Sequence, residues 1–375
     1  MPRPIPRITF GVIVLNGEPF IRHTINHLYD FAHEIIVAEG ACLAAAETAD
    51  SRGHSLDGTL ETLRAMQRED DPENKITVIT AEDQGHPDGF WPGEKEEQCQ
   101  AWAAQATGDY IWQVDTDEFY RREDIERVLE LLRREEAPDC IEFSQLAFWG
   151  HFDFRMDGWY FQIGTRAIST PQKKVYRISR WGEGYEYANH RPMEVRRPDG
   201  SYTRDGRLLS AAETEKLGLF LFHYVSIFRH QIENKLKYYA QASWKKTPSM
   251  LSQDYLDQVF AHLDRSPFRV HFVQECPSWL EPYDGPHPEP IRQLRRELAA
   301  GAHPDCFMLE PQDIERVIST PRYRLQRWCF KAGIRLYPLF EPWIRRGRYY
   351  LGAGVVEGFK RVVRKLRGRS SQDPS

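Results

Sequence analysis

The residues of this chain best placed to do chemistry close the run Gly108-Asp109-Tyr110-Ile111-Trp112-Gln113-Val114-Asp115-Thr116-Asp117-Glu118. An apolar stretch ends there abruptly in carboxylates. Side chains alternate faces along an extended strand, so Asp115 and Asp117 point the same way. Carboxylates ejected together at a strand end suit a hard divalent cation, which takes oxygen ligands and commonly shares them with phosphates. In open α/β sheets ligands sit beyond the carboxyl ends of the strands. The segment therefore predicts a metal–diphosphate site on an α/β sheet. The competing reading is helix capping, with Glu118, Glu123 and Asp124 leading into the next helix.

The elements needed to position such a site can be read around it. Ile8–Leu15 is almost wholly apolar, the pattern of a buried strand, and Phe20–Phe31 carries apolar residues at helical spacing. Glu34–Ala38 and Ile76–Thr80 read as further strands, and Thr59–Arg68 and Glu94–Thr107 as helices. Strands alternating with helices predict βαβ units and a mainly parallel sheet flanked by helices. Beyond Phe119 the rhythm changes. An amphipathic helix over Arg121–Glu136 precedes aromatic, strand-like sequence over Cys140–Tyr160, and Gly218–Phe228 is strongly apolar around His223. Glu233 to about His262 reads as helical, and the proline-rich stretch Ser266–His303 as irregular structure.

Composition narrows the class. The net charge is −5, yet Glu341–Ser375 carries nine Lys/Arg against three Asp/Glu. An acidic body argues against nucleic acid as a partner. The six cysteines are scattered without a CxxC pair, which predicts neither a zinc site nor a disulfide framework and fits a reducing, cytoplasmic setting. No run approaches the roughly 18 apolar residues of a membrane span. Between Gly354 and Arg369, Val355, Val356, Phe359, Val362, Val363 and Leu366 oppose Lys360, Arg361, Arg364, Lys365 and Arg367. That is the pattern of a helix lying on anionic lipid, so a peripheral position at the inner face of a membrane is expected; docking on the acidic body or a solubilising tail is the alternative.

In their order along the chain, ITFGVIVLNGEPFIRHTINHL, SRGHSLDGTLETL and GEKEEQCQAWAAQATGDYIWQVDTDEFY resemble the first strand and helix, the turn after the second strand, and the helix-then-DxD block of family-2-type glycosyltransferases with a GT-A fold. The resemblance is good over roughly the first 120 residues and looser over the next 110. It implies a GT-A-like domain over 1–230, with a nucleotide-binding half to 120 and an acceptor half from 121. A helical and proline-rich extension over 231–340 and the basic tail over 341–375 follow.

The resemblance further implies metal-dependent transfer, with inversion, of a sugar from a nucleotide-sugar to a glycan or lipid-linked acceptor. It places Asn16, Glu39, Asp57, Lys95 and Asp115 at the nucleotide-sugar, and Asp115, Asp117 and His223 at Mn²⁺ or Mg²⁺. Glu39 stands where an Asp is usual, which leaves the nucleotide open. A general base is sought among Glu183, Glu186, His190 and Glu194, with Glu186 and His190 preferred; His190-Arg191 departs from the expected His-Glu pair. Arg191 could instead hold an anion, and Trp91 could stack on a sugar ring. Two other classes stay open: a nucleotidyltransferase-like enzyme, disfavoured by the Asn16-Gly17-Glu18-Pro19 loop, and a non-catalytic carbohydrate or membrane adaptor.

Overall fold

Strand β1 (Ile8–Val14) is buried along its whole length, because it lies inside a sheet with both faces covered. This computed structural model describes residues 4–158, 174–242, 255–271, 277–333 and 335–336; the basic tail from Glu341 onward lies outside them. After β1 come α1 (Ile21–Tyr29), β2 (Glu34–Glu39), α2 (Thr59–Glu69), β3 (Ile76–Ile79), α3 (Lys95–Ala103) and β4 (Tyr110–Asp115). Strands β4, β1, β2 and β3 lie side by side and pair in parallel, so the first half of the chain is the βαβ array its patterning predicts.

Beyond β4 the sheet becomes mixed. The next elements are β5 (Glu118–Phe119), α4 (Arg122–Leu132), β6 (Cys140–Trp149), β7 (His151–Gly158), β8 (Lys174–Arg180), and a small ribbon of β9 (Glu186–His190) and β10 (Met193–Arg196). They are followed by β11 (Leu208–Leu209), α5 (Ala211–Lys216), β12 (Phe220–Ser226), α6 (Arg229–Gln241), β13 (Ser278–Pro282), α7 (Glu289–Ala299) and α8 (Pro311–Ile318). The sheet order is β13-β7-β6-β8-β4-β1-β2-β3; β8 runs antiparallel to β4 and β6, whereas β12 pairs in parallel with β6.

The stretch Ser266–His303, expected to be irregular, contains a strand and a helix. Its β13 pairs with β7, and α7 begins at Glu289-Pro290 after Pro288. Proline in the first helical turn forfeits no hydrogen bond, so proline-rich sequence can start a helix rather than prevent one. The chain divides into two compact units, Met1–Ile318 and Ser319–Ser375; in the second, residues 321–333 are helical. Among the described residues no helix is long and apolar enough to cross a membrane.

The two faces of β1 are packed differently. Phe10, Val12 and Val14 join a core with α1, α2 and α4, while Ile13 faces α3. On the α3 face Gly11 leaves room for the Trp102 ring: a Cβ there would stand 2.3 Å from a ring carbon. Gly11→Ala is therefore expected to destabilise the protein by about 1–3 kcal/mol, since overpacking forces a shift of ring or strand. A lowered urea midpoint checks it; an unchanged midpoint would show that α3, and with it Lys95 and Gln98, is free to move.

Candidate active site

Strands β1 and β2 lead one way across the sheet, and β4 lies on the other side of β1. The carboxyl ends of β1 and β4 thus flank a switch point, where open α/β sheets leave a crevice. A cavity of about 450 Å³ opens there, a size suited to a small ligand. Asn16 and Gly17 after β1, Gly40 and Ala41 after β2, and Asp115 and Asp117 at the end of β4 line one side. Lys95 and Gln98 of α3, Arg177 of β8, His190 at the end of β9 with Arg191 after it, and one face of α6 complete it.

The carboxylates sit in a lattice of cations. Arg177 is buried and grips the fully buried Glu118, with Nε 2.8 Å from Oε2. Its Nη2 lies 3.4 Å from Asp115 Oδ2, and Arg191 Nη2 stands 3.7 Å from the same oxygen. Burial opposes ionisation of Asp115, but the Arg177 guanidinium, with Arg191 and Lys95, holds its carboxyl well below the usual range. Asp117 takes a hydrogen bond from Lys235 Nζ at 2.9 Å and faces His223 Nε2 at 3.3 Å. Burial again opposes the charge, and Lys235 and His223 hold Asp117 well below the carboxylate range. Both aspartates are therefore anions.

A divalent cation would find a partial set of donors. Asp115 lines the cavity, and its Oδ1 is buried without a hydrogen-bond partner. Asp117 and His223 are already in contact, and the Lys235 ammonium already offsets the Asp117 charge. Among the described residues no three His, Cys, Asp or Glu side chains converge as a complete ligand set. Two carboxylates completed by phosphate oxygens are nevertheless the habit of Mg²⁺-type sites, and the donors fit that pattern.

Other expected site residues are placed differently. Asn16, at φ +54°, is a knot between loops: its N–H donates to Ser55 Oγ, Nδ2 to the Thr48 carbonyl, and Oδ1 accepts from Leu56 N–H. It still lines the cavity. Glu39 is fully buried and committed, accepting from Ser55 N–H and Oγ–H and facing His54 Nδ1 at 2.9 Å; it anchors the loop after β2 rather than reaching the cavity. Asp57 accepts from Thr59 N–H and Glu18 N–H, and it borders a neighbouring hollow of about 670 Å³. Lys95 lines the main cavity with Nζ 5.4 Å from the centre of the Tyr238 ring.

Trp91, expected to face a sugar ring, is completely buried and donates its indole N–H to the Glu39 carbonyl at 3.0 Å. Glu186 does not reach the cavity: Tyr187 turns inward from β9, while Glu186 is exposed and pairs with Arg196 at 2.8 Å. Glu194 pairs with Arg204 and Glu183 is exposed. His190 does line the cavity. Its Nδ1 lies 3.2 Å from Gln113 Nε2 and 3.3 Å from Cys99 Sγ, and its Nε2 is buried without a partner.

Two cations at the aspartates, Arg177 and Lys235, were not expected. Arg177 had a signal, a lone charge inside the otherwise strand-like Val175–Ile178. On α6, Gln231, Asn234, Lys235, Tyr238 and Tyr239 line the cavity at helical spacing, so a polar face could have been read from that periodicity.

An α/β sheet with anionic and cationic side chains gathered at its switch point defines a class of site for charged, phosphate-bearing ligands. No protein-family model matches the chain, and no curated protein matches it. Among solved structures it is similar to glucosyl-3-phosphoglycerate synthase from Mycobacterium tuberculosis in complex with Mn²⁺, UDP-glucose and phosphoglyceric acid (18% identity, 38% of this chain, 44% of that chain, TM-score 0.26). It is also similar to residues 1–349 of S. aureus TarS, at 14% identity over 70% of this chain and 73% of that one, TM-score 0.32. The chain spans less than half the length of the first of these structures. At these scores the likeness assigns neither donor nor acceptor.

Proposed function

We propose that this protein is a glycosyltransferase that moves a sugar from a nucleotide-sugar to an acceptor hydroxyl. The observation that carries the reading is the charge pattern at the switch point: Asp115 and Asp117 interleaved with Lys95, Arg177, Arg191 and Lys235 around one cavity. Such a mixture suits a ligand that joins a diphosphate to hydroxyl-rich rings. The cations face phosphate oxygens, and the anions accept from hydroxyls or share a metal ion. Preorganised cations of this kind stabilise the negative charge that develops on a departing diphosphate.

Asp115 and Asp117, with His223 against Asp117, would hold Mn²⁺ or Mg²⁺, which when bound supplies further neutralisation of the leaving group. Lys235 is then the protein's own charge beside the metal-side carboxylate, and its Nζ is also held by the Val225 carbonyl at 2.8 Å. The acceptor is proposed to approach from the β6–β8 side, past Gln145, Lys174 and Tyr176. Inversion is the course implied by the sequence resemblance. The basic amphipathic pattern of the tail supports a glycan or lipid-linked acceptor at an anionic membrane surface.

Calorimetric titration with UDP, GDP, CDP and dTDP, each with Mn²⁺ and with EDTA, tests this. One nucleotide is expected to bind, more tightly with Mn²⁺. Binding of none of them would overturn the transferase reading. Sugar binding indifferent to metal would point instead to an adaptor.

A further inference from the structure

The helix of the second unit has two unlike faces. Residues 321–333 and 335–336 are helical, and Tyr323 is buried there. Leu325, Trp328, Cys329 and Ala332 recur at i, i+3, i+4 and i+7, so they share one face about 100° wide, turned away from Tyr323. Leu325 and Trp328 are each 64% exposed, and Cys329 is exposed beside them. Leu336, also exposed, continues the stripe one turn further. A scattered exposed leucine needs no explanation, but large apolar side chains aligned on one helix face mark a surface that meets something apolar.

The charges around the stripe identify its partner. Ser319–Leu336 contains Arg322, Arg324, Arg327, Lys331 and Arg335 and no Asp or Glu. Viewed down the helix, Arg322 borders one edge of the stripe, and Arg324 and Arg335 border the other. Among the described residues no carboxylate pairs with the side chain of Arg322, Arg324 or Arg335. Cations flanking an apolar strip match a surface that is anionic at its headgroups and apolar just beneath, and a tryptophan indole suits that boundary. A second copy of the chain is a poorer match, because a self-complementary contact would bring the same cations together. We propose that this helix lies on an anionic lipid surface. Leu325, Trp328 and Leu336 enter the boundary between headgroups and acyl chains, and the arginines meet lipid phosphates. The segment is separate from the basic pattern of Gly354–Arg369, and it extends the membrane-surface part of the proposed function to a helix whose exposed face is defined.

Co-sedimentation of the full chain with lipid vesicles tests this. Binding is expected to vesicles of equal parts phosphatidylglycerol and phosphatidylcholine, and not to phosphatidylcholine alone. Arg322→Gln/Arg324→Gln is expected to weaken it about thirtyfold, because each cation near an anionic surface contributes separately. Leu325→Ser/Trp328→Ser is expected to weaken it by about tenfold or more, through the apolar surface no longer withdrawn from water. All four side chains are exposed, so unfolding curves of both variants should match the wild type. Undiminished binding by both variants overturns the proposal and hands any membrane attachment to another part of the chain. Equal binding to phosphatidylcholine, or binding to neither vesicle, overturns it as well.

A polarity-sensitive dye on Cys329 separates insertion from charge attraction alone. Its emission is expected to shift to the blue on the anionic vesicles, with Cys329→Ser subtracting the signal of any other labelled thiol. An unshifted dye on vesicle-bound protein overturns the placement of this face in lipid. Light scattering without vesicles covers the competing occupant: a dimer that Leu325→Ser/Trp328→Ser turns into a monomer assigns the stripe to a second copy and overturns the lipid reading. None of these measurements uses a nucleotide, so their failure is distinct from a failure of the transferase reading, which the calorimetry decides.

Discussion

Replacing Asp117 with asparagine is expected to reduce sugar transfer by about a thousandfold while the protein stays folded. The amide has the shape of the carboxylate, and its oxygen can still accept from Lys235 or His223, whose contacts with Asp117 measure 2.9 and 3.3 Å. What the substitution removes is the charge. The carboxylate is held ionised by Lys235 and His223, and that anion is what a shared cation or a correctly poised Lys235 requires. The side chain lies at the sheet's carboxyl end rather than within the hydrophobic core, so the fold should be little affected. Transfer from the nucleotide-sugar selected by calorimetry measures the first part, and an unfolding curve the second. Undiminished transfer would remove Asp117 from the reaction and return the DTD pair to a capping role.

Arg177→Met is expected to cost about 3–5 kcal/mol of stability, the largest structural effect of any single change at the site. Arg177 is 3% exposed and Glu118 is not exposed at all, and Arg177 also reaches Asp115. Without the guanidinium, two neighbouring carboxylates are left in a poorly solvated pocket. Burial pushes the Glu118 carboxyl up even with Arg177 present, so its loss drives Glu118 toward protonation. The double variant Arg177→Met/Glu118→Leu is expected to recover much of the stability, because exchanging a whole buried pair for apolar groups is far cheaper than breaking it. Nucleotide affinity should stay low in both variants, since the cation facing Asp115 is gone. Urea unfolding at constant m-value measures the first effect. A cost under about 1 kcal/mol would mean that water reaches the pair freely.

The periodic part of the fold could be read before the structure was known. Ile8–Leu15 and Tyr110–Val114 are mostly apolar runs, broken only by Thr9 and Gln113, because parallel strands are covered on both faces, and Thr59–Arg68 repeats at 3.6 residues because one face of α2 is buried. The end of β4 was legible for the same reason: where a buried strand leaves the sheet, its composition changes abruptly at Asp115. Start signals were less reliable. Prolines around Glu289 suggested irregular structure, yet Pro290 occupies the first turn of α7.

The sequence by itself determined the α/β order and the strand end carrying Asp115 and Asp117, because both follow from local alternation and spacing. Only the tertiary structure decided what those aspartates meet. Arg177 and Lys235 lie 62 and 118 residues from their partners, and no local pattern encodes which strand becomes the neighbour of β4 or which face of α6 covers the cavity. Burial direction was equally out of reach: nothing in the sequence around Glu39, Trp91 and Glu186 says which way each side chain turns, but packing makes the first two anchors and points the third toward solvent. The placement of His190 is the clearest case: a histidine in such a segment can be base, ligand or core residue, and only packing puts its Nδ1 beside Gln113 of β4 and Cys99 of α3.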